Sequence, residues 1–198
     1  GRVVQCSHGL RRIERDVDGV VTPIVDRWDG VRFNSPNDVV VASDGTIWFT
    51  DPPYGILSDH EGHAAAPEYE GCFVFRFDER MGELRPVITD MVHPNGLAFS
   101  PDGTRLAVID RNSVLHLWNV RSGHSVSHPL SGLATGPYLF EFTHDGAAIV
   151  VAGMFSAMYR CSVTESQVRV LLTEPGPVPA AVDSARDRFA TAQGTWLF

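Results

Sequence analysis

The sequence predicts an all-β chain, a β-propeller or part of one, and three observations carry that prediction. A strand motif ending in a turn recurs along the chain. Its copies are about 40–60 residues apart and built of short strands, the spacing of radial β-sheet arrays. The chain also lacks the long i, i+3, i+4 apolar spacing of amphipathic helices. The motif is clearest in Pro36-Asn37-Asp38-Val39-Val40-Val41-Ala42, followed by Ser43-Asp44-Gly45, and in Pro94-Asn95-Gly96-Leu97-Ala98-Phe99-Ser100, followed by Pro101-Asp102-Gly103. In both, an Asn stands eight residues before the turn Gly. Alternating apolar residues lead into Asp-Gly, a strong hairpin signal. A returning apolar strand follows each turn, Ile47-Trp48-Phe49 and Leu106-Ala107-Val108-Ile109.

Taken in order, Gly1-Arg2-Val3-Val4-Gln5-Cys6 reads as the returning strand of a copy whose first strand is missing. The Asn37 and Asn95 copies follow, with outer strands over residues 72–77 and 114–120. A third copy runs from Pro137-Tyr138-Leu139-Phe140 through His144-Asp145-Gly146 into Ile149-Val150-Val151-Ala152, with an outer strand over 158–163. A degenerate fourth spans residues 179–192, with Ser184-Ala185-Arg186-Asp187 in place of the turn. One blade cannot bury both its faces alone, so such copies must stack against one another. The strands amount to about four blades in one domain over residues 1–198, expected to be incomplete because the chain stops within a strand-like Thr195-Trp196-Leu197-Phe198.

Composition agrees: 43% hydrophobic residues supply a core, while 18 Gly and 13 Pro supply turns. A net charge of −8 argues against nucleic-acid and anionic-membrane partners, which select a basic face. No apolar run approaches the ~18–20 residues needed to span a bilayer. Cys6, Cys72 and Cys161 are scattered, without C-x-x-C spacing, and read as free thiols in a reducing, cytoplasmic setting. The longest stretch outside the repeats, residues 54–71, holds Asp59, His60, Glu61, His63, Glu68 and Glu70. His60-Glu61-Gly62-His63 has no metal-ligand spacing, so the stretch reads as a solvated loop whose position beside Asp51 would suit a lid.

Strand geometry then predicts a site. If Asn37 begins a strand at one rim and Asp44-Gly45 turns at the other, Asp51 returns beside Asn37, since paired strands lie about 4.8 Å apart. The same count brings Asp110 beside Asn95 and His8 to that rim from the preceding copy. Amide and carboxylate oxygens of this kind suit a hard divalent cation. Plainer roles stay open: Asn before a strand makes an Asx-turn, and Asp51 before Pro52-Pro53 would accept backbone N–H groups at a strand end.

These residues also resemble a known family. Arg32-Phe33-Asn34-Ser35-Pro36-Asn37-Asp38-Val39-Val40-Val41, Trp48-Phe49-Thr50-Asp51-Pro52-Pro53-Tyr54-Gly55, His93 to Gly103, and Cys6-Ser7-His8-Gly9 with Arg11-Arg12 are similar to the SMP-30/gluconolactonase family, in its bacterial gluconolactonase branch. The likeness is dense from Gly1 to about Asp110 and fades after Arg111. It implies a six-bladed β-propeller that hydrolyses lactones with one divalent cation, Ca²⁺ first, with Mg²⁺, Mn²⁺ or Zn²⁺ as alternatives. It implies that Asn95 is a metal ligand and that Asn37 contacts substrate or metal. A substrate-holding Arg of animal members falls at Ser35, with Arg32 displaced from it. The family's Glu ligand belongs upstream of Gly1, and its Asp ligand falls at Tyr138.

The reading that follows is a metal-dependent hydrolase of a sugar lactone, with metal at Asn95 and Asn37, substrate at Asn37 and Arg32, and catalytic roles for Asp51 and His8. The expected partner is a small-molecule lactone, with no nucleic acid and no membrane. The alternative is a non-catalytic propeller that binds a small ligand or a partner protein, since neither acidic ligand of the family is found in the chain.

Overall fold

The computed structural model describes the backbone of residues 1–130, 137–153, 158–163, 168–174, 179–183, 188–191 and 196–197, with side chains over 1–130, 140–151 and 160–163. The chain is all-β, of the propeller type that the sequence predicts, and groups into two compact units, Gly1–Leu97 and Ala98–Phe198.

The first unit opens with a three-stranded antiparallel sheet, β1 (Arg2–Ser7), β2 (Arg12–Val17) and β3 (Val20–Val25). A small hairpin that the repeat did not reveal follows, β4 (Arg27–Trp28) and β5 (Val31–Arg32). Next comes a four-stranded meander, β6 (Val39–Val41), β7 (Ile47–Asp51), β8 (Phe73–Asp78) and β9 (Glu83–Ile88). Every residue of β7 is buried, so both faces of this strand are covered and its apolar start, Ile47-Trp48-Phe49, runs without alternation. On β8 every second residue, Phe73, Phe75 and Phe77, joins Phe33, Phe49 and Trp28 in a core of aromatic rings. Phe75 packs within 5.2–5.9 Å of Phe33, Phe49, Trp28 and Phe73. Between β7 and β8 lies a single 3₁₀ turn, Tyr54–Ile56, and then the long loop.

The second unit carries two further meanders of the same order. The first is β10 (Leu97–Phe99), β11 (Arg105–Ile109), β12 (Val114–Asn119) and β13 (Ser125–Pro129), whose opening residue marks the unit boundary. The second is β14 (Pro137–Phe142), β15 (Ala148–Gly153), β16 (Met158–Val163) and β17 (Val168–Glu174). A three-stranded sheet ends the chain: β18 (Pro179–Asp183), β19 (Arg188–Thr191) and β20 (Trp196–Leu197). Ala107, Ile109, Leu115, Leu117, Phe142, Ile149, Val151 and Cys161 form this unit's core. The pairing of β14 with β15 shifts register between Pro137 and Leu139, at Tyr138. The Tyr138 side chain and the Ser184–Asp187 turn of the degenerate copy lie outside the described residues.

Asp18-Gly19 and Asp29-Gly30 take positive φ at both residues, as the two-residue hairpin requires, whereas the Asp-Gly turns of the three repeat copies, at Asp44, Asp102 and Asp145, share a different chemistry. Each Gly takes a left-handed φ (Gly45 86°, Gly103 68°, Gly146 69°), the region that glycine enters without cost. Each Asp folds its carboxylate back to accept hydrogen bonds inside the turn. Asp44 Oδ1 accepts from Thr46 N and Oγ1 at 2.9 and 2.7 Å. Asp102 Oδ1 accepts from Ser100 Oγ at 2.6 Å and Thr104 N at 3.0 Å. Asp145 Oδ1 accepts from Thr143 Oγ1 at 2.6 Å and Ala147 N at 2.9 Å. The Asp therefore serves as an acceptor that closes a slightly longer loop.

Candidate functional site

The candidate residues sit at strand ends within the first unit. Asn37 lies two residues before β6, and its backbone N–H donates to Thr50 O at 3.0 Å. Asn95 lies two residues before β10, in a segment opened by His93 at a positive φ of 48° and by Gly96 at 87°. His8 occupies the turn from β1 to β2. That turn is closed by Arg11, whose N–H donates to His8 O at 3.1 Å, whose φ is 56°, and whose Nε donates to Phe33 O at 2.6 Å.

These three side chains meet. His8 Nε2 lies 2.9 Å from Asn37 Oδ1, and Asn37 Nδ2 donates to Asn95 Oδ1 in a short hydrogen bond. All three are half-buried. Asp38, which the sequence reading passed over, holds the meeting place together. Its Oδ2 accepts from Leu97 N at 2.6 Å and its Oδ1 from Val39 N at 2.9 Å, so its carboxylate ties the start of β6 to the start of β10. Burial pushes the Asp38 carboxyl above its ordinary range, and the two N–H donors pull it back.

Asp51 returns on β7 as the strand count predicts, yet its carboxylate turns away into the core and is fully buried. Oδ1 accepts from Ser35 N at 2.8 Å, and Oδ2 accepts from Asn34 N at 2.7 Å and from the Tyr69 hydroxyl. Burial pushes its pKa up to about 7, against the opposing pull of the Tyr69 hydroxyl, the two backbone N–H groups and Arg11. This is the strand-end acceptor role, with every contact on structure rather than on the amide cluster. Asn34 and Ser35 complete the anchor: Ser35 Oγ donates to Pro52 O at 2.7 Å and accepts from Gly55 N at 2.8 Å.

Arg32 is placed apart from the cluster. Its guanidinium donates to Leu10 O at 3.1 Å, and its backbone N–H donates to Glu68 at 2.9 Å. Asp110, in the second unit, closes a local turn, accepting from Asn112 N at 2.9 Å and Val114 N at 3.0 Å, with His116 Nε2 3.3 Å away. The loop over residues 57–71 exposes His60, Glu61 and His63. It is pinned through Tyr69 to Asp51 and through Glu68 to Arg11 at 3.3 Å. Its tip comes down on the 3₁₀ turn, where His63 N donates to Gly55 O at 3.0 Å.

The donor set decides what ion would suit the cluster. Asn37 and Asn95 offer amide oxygens, the hard donors that Ca²⁺ and Mg²⁺ take, and an amide oxygen in one hydrogen bond keeps a second lone pair. Among the described residues no three His, Cys, Asp or Glu side chains gather around a common point. The cluster itself thus offers neutral amide oxygens.

A profile of the SMP-30/Gluconolactonase/LRE-like region matches residues 1–115, more than half of the chain and all of the His8, Asn37 and Asn95 cluster. The chain belongs to this family. The gluconolactonase of Zymomonas mobilis subsp. mobilis is 36% identical over 159 residues, which cover 78% of this chain and 43% of that protein. A lactonohydrolase of Aspergillus oryzae is 25% identical over 182 residues, 91% of this chain and 36% of that one. A solved gluconolactonase of Xanthomonas campestris matches with a TM-score of 0.74 at 32% identity, over 95% of this chain and 64% of that chain. The chain spans less than half the length of the two curated relatives, at 43% and 36%. Tyr138 falls beyond the stretch that the profile covers. Among the described residues no helix is long and apolar enough to cross a membrane.

Proposed function

We propose that the protein is a lactone hydrolase of the gluconolactonase type, acting on a sugar lactone at the cluster of His8, Asn37 and Asn95. The observation that carries this reading is the direct meeting of two strand-entry amides from successive repeats, inside the segment that the family profile covers. Relatives named gluconolactonase and lactonohydrolase support the substrate class. Ring opening joins a water oxygen to the lactone carbonyl carbon and breaks the acyl C–O bond of the ring. The ring oxygen takes up a proton, and a hydroxy acid leaves. In this chain Asn37 and Asn95 supply fixed amide dipoles that bind and orient the lactone, and fixed dipoles need no reorganisation when charge develops on the carbonyl oxygen. One divalent cation, Ca²⁺ ahead of Mg²⁺, Mn²⁺ or Zn²⁺, suits the amide oxygens of Asn95 and Asn37. Such an ion, when bound, polarises an ester carbonyl and lowers the pKa of a bound water.

The test is base uptake at constant pH with gluconolactone and other aldonolactones, in chelator and after addition of Ca²⁺. Hydrolysis above the spontaneous rate is expected, with loss in Asn95→Ala at unchanged circular dichroism, because a half-buried polar residue contributes little packing. An unchanged rate in that variant refutes the placement. A second reading, a propeller that binds a small ligand or protein without catalysis, is favoured by one observation. Asp38, next to Asn37 in sequence, and Asp51, on the strand paired with β6, are both committed to backbone N–H groups. Calorimetric titration separates the readings: one divalent ion bound per protein supports the hydrolase, and none supports the binding module.

A further inference from the structure

A side-chain amide has two ends, an oxygen that accepts and an NH₂ that donates, and a half-turn interchanges them. Asn37 is held at both ends. Its oxygen faces His8 Nε2 at 2.9 Å, and its NH₂ donates to Asn95 Oδ1. That arrangement requires a hydrogen on His8 Nε2. It also decides that Asn95 receives the hydrogen bond on its oxygen, leaving the Asn95 NH₂ uncommitted to Asn37.

The imidazole that sets this order is itself seated with little freedom. A Cβ on Gly55 would lie 3.0 Å from His8 Cβ and 2.9 Å from Ser35 Cβ, closer than carbon atoms pack at optimal separation. Gly55 cannot retreat easily, because its N–H is held by Ser35 Oγ at 2.8 Å and Ser35 Oγ is held by Pro52 O at 2.7 Å. On its other side Gly62 lies so near that a Cβ there would meet Gly55 O at 2.1 Å. Gly62, Gly55, His8, Asn37 and Asn95 therefore form one contiguous stack within the first unit.

We propose that His8 is a positioning residue: by donating from Nε2 it fixes which way round the Asn37 amide sits, and through Asn37 it orients the oxygen of Asn95. The kinetic part of this inference rests on the lactonase reading, and the orientation part does not. Partners that orient a ligating group through a hydrogen bond are worth 10–100-fold in affinity or activity when removed.

The experiment pairs two substitutions. His8→Leu keeps the bulk and removes the donor, while His8→Gln returns an amide N–H at similar reach. In ¹⁵N-labelled protein the side-chain NH₂ signals of Asn37 and Asn95, assigned from Asn37→Ser and Asn95→Ser spectra, are expected to shift in His8→Leu and to stay near wild type in His8→Gln. For the lactone, kcat/KM is expected to fall about 10–100-fold in His8→Leu and to recover to within about threefold of wild type in His8→Gln. Gly55→Ala, which crowds His8 without touching either amide, is expected to shift the same NH₂ signals. Unmoved NH₂ signals in His8→Leu, or a His8→Gln protein that behaves like His8→Leu, overturn the proposal. If the wild type opens no lactone the functional reading falls, and the NH₂ signals alone still decide the role of His8.

Discussion

Removing the Asp38 carboxylate tests whether the amide cluster is held from behind. In Asp38→Ala, Leu97 N–H loses its acceptor at 2.6 Å, and Leu97 is only 4% exposed, so water cannot readily replace it. Leaving one buried donor unsatisfied costs about 1–3 kcal/mol, and loss of the 2.9 Å bond to Val39 N–H adds about 1 kcal/mol. The expected destabilisation of about 2–4 kcal/mol is a large fraction of a typical domain's 5–15 kcal/mol. With a urea m-value of about 2 kcal/mol/M it lowers the unfolding midpoint by about 1–2 M. Because Trp28 and Trp48 lie in the first unit and Trp118 and Trp196 in the second, the denaturation curve should be followed with a variant that keeps only the first pair. Amide exchange at Leu97 should quicken on the order of 30-fold or more, since each 1.4 kcal/mol is a factor of ten. Asp38→Asn keeps one oxygen for Leu97 and is expected to cost about half as much. A midpoint shift below about 0.2 M in Asp38→Ala, with Leu97 exchange unchanged, would show that the carboxylate contributes nothing and that the strand entries are held by other forces.

Three further outcomes are expected. Burial raises the Asp51 pKa from 3.8 to about 7, so the folded state holds that proton more tightly than the unfolded chain. Its contribution to stability is therefore full below pH 3.8 and is lost as pH rises through about 7. Stability measured from pH 4 to 8 should show this fall in the wild type and lack it in Asp51→Asn; parallel curves would refute the shift. Phe75→Ala deletes a fully buried ring among five aromatic neighbours and should destabilise the first unit by about 3–5 kcal/mol in chemical denaturation, whereas a loss below about 1 kcal/mol would mean that the cluster collapses to fill the gap. Tyr138→Asp introduces a charged oxygen at the position that the repeat aligns with Asn37 and Asn95, and should tighten divalent-ion binding in calorimetry; equal affinities would show that the third repeat is misaligned.

Much of the fold was legible because hairpins are local. An Asp-Gly turn between alternating apolar runs specifies β6 with β7, β10 with β11 and β14 with β15 within a dozen or so residues, without reference to distant contacts. The β4–β5 hairpin falls outside the repeat, since two-residue strands at Arg27–Trp28 and Val31–Arg32 leave too few positions for a period to register, and its signal is the Asp29-Gly30 dipeptide alone. The site was half legible. Equal spacing put Asn37 and Asn95 at equivalent strand entries, and the structure joins them. Spacing along a strand says nothing about which way a side chain finally turns, however. Asp51 returned to its predicted level and then pointed at the N–H groups of Asn34 and Ser35. Arg32 was diverted in the same way, to the carbonyl of Leu10. Asp38 escaped notice because its partner, Leu97 N–H, is a backbone group that carries no sequence signature.

The acceptor chemistry at the turns of Asp44, Asp102 and Asp145 bears on how such a chain can diversify. Each hairpin is closed at its turn end by a carboxylate, a neighbouring hydroxyl and a left-handed glycine. The entry residue at the opposite end, Asn37 or Asn95, is left out of that closure. Folding information and site chemistry are thus carried at opposite ends of the same short unit. An entry residue can be exchanged with the turn left intact, so successive repeats can present different groups on one scaffold. Changing the turn, by contrast, would put the register of the whole hairpin at risk.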